Sequence, residues 1–161
     1  MVWCYRINGF FISVGETHLK MPNPVSTSSI PLKCFLIDDD IDDQEIFSMA
    51  LQEFNDSIHC YFADDGVKAL EKLNVDESFL PNCIFIDINM PRMNGVECLE
   101  QIKRINRLKL VPICMFSTSA DPTIVAKTKA LGATDFIVKP ASISVLSRLL
   151  KQFISLNVNA K

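Results

Sequence analysis

The chain has 161 residues, 48% apolar and 22% charged, with a net charge of −3 at neutral pH. That is enough for one domain with a proper core, and the acidic balance argues against nucleic acid as a main partner. The longest apolar stretches stop well short of the roughly 18 residues that a spanning helix needs, which argues against membrane insertion.

Residues 1–31 show none of the periodicity found later and end in the proline- and serine-rich tract Met21–Pro31, which reads as a linker. Trp3, Tyr5, Phe10 and Phe11 make the segment apolar. Arg6, Asn8 and Glu16 interrupt any core of signal-peptide quality, and no small-residue cleavage site follows. The expectation is a disordered or loosely docked arm, with Met21 a second candidate for the true start.

From Leu32 onward, strand and helix patterns alternate five times. Short runs rich in Ile, Val, Phe and Cys at about 33–38, 57–63, 82–87, 111–117 and 134–138 read as strands covered on both faces. Helical spacing follows in Ile46, Phe47, Ala50, Leu51 and Phe54, in Val67, Leu70 and Leu73, and in Val96, Leu99, Ile102 and Ile105. A last helix carries Ile143, Leu146, Leu150 and Phe153. Asp121-Pro122 predicts a helix start and Gly132 a stop. The fold class is therefore α/β, a (βα)5 doubly wound parallel sheet over residues 32–156, with 157–161 as a tail. Its strand order is taken from flavodoxin-like sheets, 2-1-3-4-5, whose sites lie at the switch point between strands one and three. Cys34, Cys60, Cys83 and Cys114 each fall in a different strand-like run, Cys98 in a helical one, and no CxxC pair exists. Buried reduced thiols of a cytoplasmic protein are the reading, rather than a disulfide framework.

Three polar clusters close three of the strands: Asp38-Asp39-Asp40 the first, Asp87 the third and Lys139-Pro140 the fifth. In a parallel sheet they converge at one edge. Two like charges 4 Å apart repel by ~4 kcal/mol at an effective dielectric near 20, so crowded carboxylates call for a cation. Mg²⁺ suits a site that offers oxygen ligands and nothing softer. With the cation neutralising an approaching phosphate, an Asp oxygen can act as nucleophile and form an aspartyl-phosphate. Asp87 stands alone before the open turn Asn89–Gly95 and takes that role; Lys139 supplies a point cation, and Ser117 with Thr118 beside it supplies hydroxyls. Taken singly, each of these has an ordinary structural role as a turn former, strand terminus or surface lysine. Asp40, Asp42, Asp43 and Glu45 read as capping and solvated residues at the start of the first helix, where the dipole favours anions. His18 and His59 have no spaced partners and are not read as ligands.

At these residues the chain resembles the response-regulator receiver domains of two-component signalling, with FLIDDD, FIDINMPRMNG, MFSTSAD and FIVKP in order at the ends of strands one, three, four and five. The resemblance implies that Asp38, Asp39 and Asp87 hold Mg²⁺ with the main-chain carbonyl of Asn89. It implies that Asp87 accepts the phosphoryl group, that Ser117 and Lys139 bind it, and that Lys139-Pro140 is a cis peptide. It further implies a switch in which Ser117 moves toward the phosphate and Phe136 swings into the vacated space, Pro140 lying beside them. Phe136 stands where many relatives carry Tyr, so the packing half of that switch is kept and the polar half is absent. The implied partners are a sensor histidine kinase or a histidine phosphotransfer protein. The expectation is a stand-alone receiver that acts through protein contacts, with no DNA-binding or enzymatic module after the fifth helix. Such a chain is a switch rather than an enzyme, with self-phosphorylation and self-dephosphorylation its only chemistry.

Rival readings are weaker. A phosphatase of the haloacid dehalogenase type needs a second acid two residues after its nucleophile, and position 89 is Asn. A flavodoxin wants a phosphate-binding loop after strand one, where this chain has acids. A phosphate sink or relay intermediate without conformational output remains inside the same family.

Overall fold

The structure is a computed structural model, and it describes the strands at 4–7 and 10–13 and residues 31–158. The chain divides into two compact units, Met1–Ile30 and Pro31–Lys161. In the first, β1 (Cys4–Ile7) and β2 (Phe10–Ser13) pair antiparallel, from Cys4 opposite Ser13 to Ile7 opposite Phe10. The remainder of the expected arm, including the tract Met21–Ile30, lies outside the described residues.

In the second unit, β3 (Lys33–Ile37), β4 (His59–Ala63), β5 (Cys83–Asp87), β6 (Ile113–Ser117) and β7 (Asp135–Val138) form one sheet in the order β4-β3-β5-β6-β7. Every pairing in it is parallel. That is the expected 2-1-3-4-5 order. The helices are α1 (Ile41–Phe54), α2 (Gly66–Val75), α3 (Gly95–Arg104), α4 (Pro122–Ala130) and α5 (Ile143–Asn157), with a short 3₁₀ turn at Asn106–Leu108.

Successive strand residues point to opposite faces, so a strand covered on both sides is apolar without alternation. β5 and β6 are buried at every position, whereas the edge strands β4 and β7 are partly exposed. One face of the sheet contributes Phe35, Ile37, Ile84, Ile86, Ile113 and Met115 to a core with Leu73, Leu99 and Ile102. The other contributes Leu36, Phe85, Cys114 and Phe116 to a core with Phe47 and Leu51 of α1 and Leu146, Leu150 and Phe153 of α5. Phe47 meets the edges of Phe85 and Phe116 with ring centroids at 4.9 and 5.6 Å. Each fully buried side chain of this size contributes about 1.5–3 kcal/mol. Ile143, expected on the core face of the last helix, is instead exposed in the first turn of α5. Cys34, Cys60, Cys83, Cys98 and Cys114 are free, and Cys60 is only half-buried because β4 is an edge strand.

Helix ends follow the expected chemistry. Asp121 caps α4 by accepting from the N–H groups of Thr123 and Ile124, with Pro122 in the first position. At its other end Gly132 has φ +95°, and the N–H groups of Gly132 and Ala133 return to the carbonyls of Lys129 and Thr128. This is the paired closure that an αL glycine permits.

Gly95 opens α3 against the end of β5, where an added Cβ would lie 2.1 Å from the Asp87 carbonyl oxygen and 2.8 Å from the Ile88 Cα. Backbone atoms cannot yield as a side chain can. Gly95→Ala is expected to destabilise the domain by ~2 kcal/mol or more, read by urea unfolding. An unchanged midpoint would show that the loop after β5 relaxes freely.

Candidate functional site

The parallel order brings the C-terminal ends of β3, β5, β6 and β7 to one edge. Asp38 follows β3 directly, and its N–H continues the ladder to the Ala63 carbonyl at 3.0 Å. Asp87 is the last residue of β5 and Ser117 the last of β6. Lys139 follows β7, with its N–H on the Ser117 carbonyl at 2.8 Å. The main chain is therefore fixed by sheet bonds up to the point where each polar side chain leaves it.

The side chains meet at one ammonium. Lys139 Nζ donates to Asp38 Oδ2 at 2.7 Å and to Asp43 Oδ2 at 2.7 Å, and pairs with Asp87 Oδ1 at 2.8 Å. It lies 5.1 Å from the centroid of the Phe116 ring. The Lys139 side chain is 10% exposed, Asp38 1% and Asp87 8%, so water screens these charges poorly. The second oxygen of Asp87 accepts from the Asn89 N–H at 2.6 Å, and Asp38 Oδ1 accepts from the Asp40 N–H at 3.1 Å. Above them opens a cleft of about 210 Å³ lined by Asp38, Asp39, Asp40, Asp43, Asp87, Asn89, Thr118 and Lys139.

Burial pushes the Asp38 carboxyl up from the usual range, against the hydrogen bond and charge of Lys139; the neighbouring Asp87 charge adds to the rise. Burial alone would lower Lys139, but its bonds to Asp38, Asp43 and Asp87 outweigh that and hold it above an ordinary lysine. For Lys139 the folded value exceeds the unfolded one, so its stabilisation is complete at neutral pH and is lost only as pH rises through the alkaline range. For Asp38 the same sign means a contribution present in acid and lost as pH rises. At neutral pH its charge therefore costs stability, and a cation relieves that cost.

The expected site residues are largely gathered here, with differences. Asp38, Asp39, Asp87 and Asn89 all line the cleft, and the donors are all oxygen, a set that fits Mg²⁺. Among the described residues no three His, Cys, Asp or Glu side chains converge at metal-holding spacing. The carboxylates converge on Lys139 instead. Thr118 is exposed on the cleft wall, while Ser117 is buried behind it, its Oγ accepting from the Ser119 N–H at 3.5 Å. Phe136 is half-buried beside a cavity of about 130 Å³ between α4 and β7, lined also by Val125, Thr128 and Ala133.

Two expectations are corrected. No cis peptide occurs among the described residues, so the bond joining Lys139 to half-buried Pro140 is trans. The tertiary amide leaves only ~0.5–1 kcal/mol between the isomers, and the trans chain already delivers the ammonium to the carboxylates. Asp43 is not a solvated helix-start residue: it is a partner of Lys139, its side chain 30% exposed. The signal was in the helical spacing, since Asp43 stands four residues before Phe47 and seven before Ala50, on the face that α1 buries. Asp40 does cap α1, accepting from the N–H groups of Asp42 and Asp43. Asp65 was also missed; it is buried, caps α2 and pairs with Arg92 of the loop after β5.

The strand order is that of the flavodoxin-like α/β sheets, and comparison with known proteins narrows the class to one family. Residues 34–151 match the response regulator receiver domain. The chain is 31% identical over 133 residues to the two-component response regulator ORR3 of Oryza sativa subsp. indica, covering 81% of this chain and 98% of that one. Among solved structures it resembles the phosphorylated cyanobacterial phytochrome response regulator RcpA, with TM-score 0.72 and 25% identity over 81% of this chain and 96% of that one. It is also similar to a chain of the CheX–CheY–BeF3–Mg²⁺ complex from Borrelia burgdorferi, with TM-score 0.67 and 25% identity over 79% and 90% of the two chains. The protein belongs to the response regulator receiver domain family.

Removing the ammonium leaves three carboxylates facing one another. Lys139→Met is expected to cost about 3 kcal/mol at pH 7.5, in line with breaking a buried ion pair. Asp38, already raised by burial, loses the partner that lowers it, so the native state gains a proton on acidification and the deficit narrows toward pH 5. Urea unfolding at both pH values checks this; a deficit independent of pH would show that packing, not charge, is what Lys139 supplies.

Proposed function

We propose that Asp87 is the phosphoacceptor of a two-component phosphorelay. The observation that carries this reading is the Asp87 carboxylate at the end of the central strand, open to a cleft shared with Asp38 and Asp39 and held at 2.8 Å by Lys139. An Asp87 oxygen attacks the phosphorus of a phosphohistidine on a sensor kinase or a histidine phosphotransfer protein. The O–P bond forms as the N–P bond breaks, and the imidazole leaves. Bound between Asp38, Asp39, Asp87 and the Asn89 carbonyl, Mg²⁺ would supply charge neutralisation for the incoming phosphoryl group. Lys139 meets one phosphoryl oxygen as a point charge, Ser117 and Thr118 offer hydroxyls, and the Asn89 N–H orients Asp87.

The neighbourhood of Phe136 supports output through protein contacts. The cavity between α4 and β7 gives its ring room to move when Ser117 is drawn toward the phosphate. A phosphorylated form with that ring turned inward would present a different α4–β7–α5 surface, and a partner biases the two forms only by differential affinity. Reduced thiols and the lack of any helix long and apolar enough to cross a membrane, among the described residues, favour a cytoplasmic setting. The net charge of −3 favours protein over DNA as the direct target.

Incubation with Mg²⁺ and acetyl phosphate should add the mass of one phosphoryl group to the intact chain, and Asp87→Asn should abolish the addition. Undiminished incorporation in that variant would move the acceptor elsewhere. In the same chain, Phe136→Ala should leave labelling intact. It should also remove the amide shifts that beryllofluoride induces in α4, β7 and α5; shifts unchanged by the substitution would favour a phosphate sink.

A further inference from the structure

A lysine ammonium has three N–H donors, and in this site all three are engaged, by Asp38, Asp43 and Asp87. If Lys139 is to meet a phosphoryl oxygen, one of those bonds must be given up. The three acceptors differ in what else they have to do. Asp87 is the group that reacts, so a phosphoryl oxygen takes over its place on the ammonium. Asp38 is the carboxylate drawn to a divalent cation. Asp43 is the only one of the three without another assignment.

We propose that Asp43 is a positioning residue for phosphoryl transfer, its carboxylate anchoring the Lys139 ammonium at the cleft while Asp38 and Asp87 turn to other partners. This rests on the phosphoacceptor reading of Asp87. The anchor is itself well fixed. Asp43 is the third residue of α1, its N–H accepted by the Asp40 side chain that caps the helix. Phe47, one turn later, is locked against Phe85 and Phe116. Lys139 is fixed from its own side by the backbone bond to Ser117. Helix α1 and strand β7 are thus tied across the sheet edge through one ion pair at 2.7 Å.

The ordinary alternative is that Asp43 is one more anion at a helix N-terminus, where the dipole favours it. Asp42 separates the two readings. It occupies the same turn with the same charge, but it is exposed and not among the partners of Lys139. The signs also differ: removing a bystander anion near the cleft eases the approach of an anionic phosphodonor, whereas removing an anchor for Lys139 slows transfer.

Labelling by acetyl phosphate with Mg²⁺ should therefore run at the wild-type rate or slightly faster in Asp42→Ala, and about tenfold slower in Asp43→Ala, the scale set by misplacing one reacting group. Asp43→Glu, which keeps a carboxylate, should recover part of the rate. In a Lys139→Ala background, Asp43→Ala should change the rate by less than about twofold, because coupled residues lose their separate effects. A second readout needs no phosphodonor: a ¹H–¹⁵N spectrum of the lysine ammonium groups should show an immobilised Lys139 signal in wild type and Asp42→Ala, lost in Asp43→Ala. A wild type that takes no phosphoryl group would overturn the phosphoacceptor reading, and the ammonium signal would still decide the anchoring role. Labelling of Asp43→Ala at the Asp42→Ala rate, an equal slowing without Lys139, or an ammonium signal unmoved by Asp43→Ala would each overturn the proposal.

Discussion

The ammonium of Lys139 is the one positive charge around which this sheet edge is organised. Three carboxylates from β3, α1 and β5 bond to it, two of them nearly buried. Carboxylates crowded like this repel by several kcal/mol per pair at moderate dielectric, so the cleft holds together only with a cation inside it. The strand order then follows as a requirement of reach. β3 and β5 are neighbours and put Asp38 beside Asp87; β7 lies on the far side of β6, and the length of the lysine side chain, its ammonium 5.1 Å from the Phe116 ring centroid, spans that gap. A shorter side chain at position 139 would leave the acids unneutralised.

The loop after β5 is held as firmly as the strands. Gly95 lies too close to the Asp87 carbonyl for any Cβ, and its N–H returns to the Ile88 carbonyl at 2.9 Å. Arg92, at φ 67°, takes a left-handed conformation that a non-glycine residue adopts at some cost. Its ion pair with buried Asp65 at the start of α2 offsets that strain. The Asn89 N–H is thereby presented to Asp87 from a braced turn. The stability cost of an acidic cleft is of the kind functional sites carry, set against a core that is apolar on both sheet faces.

Much of this was legible in the sequence because parallel strands buried on both faces must be short apolar runs, and polar residues that end such runs have only one edge to go to. Asp38, Asp87 and Lys139 were readable for that reason. Asp43 was not, because an acid in the first turn of a helix already has a local explanation; only its register with Phe47 and Ala50 showed that it faces inward. Arg92 and Asp65 are far apart in sequence and belong to different loops, so no spacing rule connects them. The isomer of Lys139-Pro140 was beyond sequence reading, since the two forms of a prolyl bond differ by so little. Pairing of Cys4–Ile7 with Phe10–Ser13 escaped because two four-residue strands carry too few positions to show a period.

Lys139 holds together three carboxylates that, in the proposed function, a divalent cation and a phosphoryl group divide between them. A crystal structure with Mg²⁺ and beryllofluoride tests this most directly. The expected result is Asp38 turned from Lys139 to the metal, a fluoride on Lys139 Nζ in place of the Asp87 oxygen, and the Asp43 bond retained. A complex in which Lys139 still bridged Asp38 and Asp87, with metal and fluoride bound elsewhere, would contradict it.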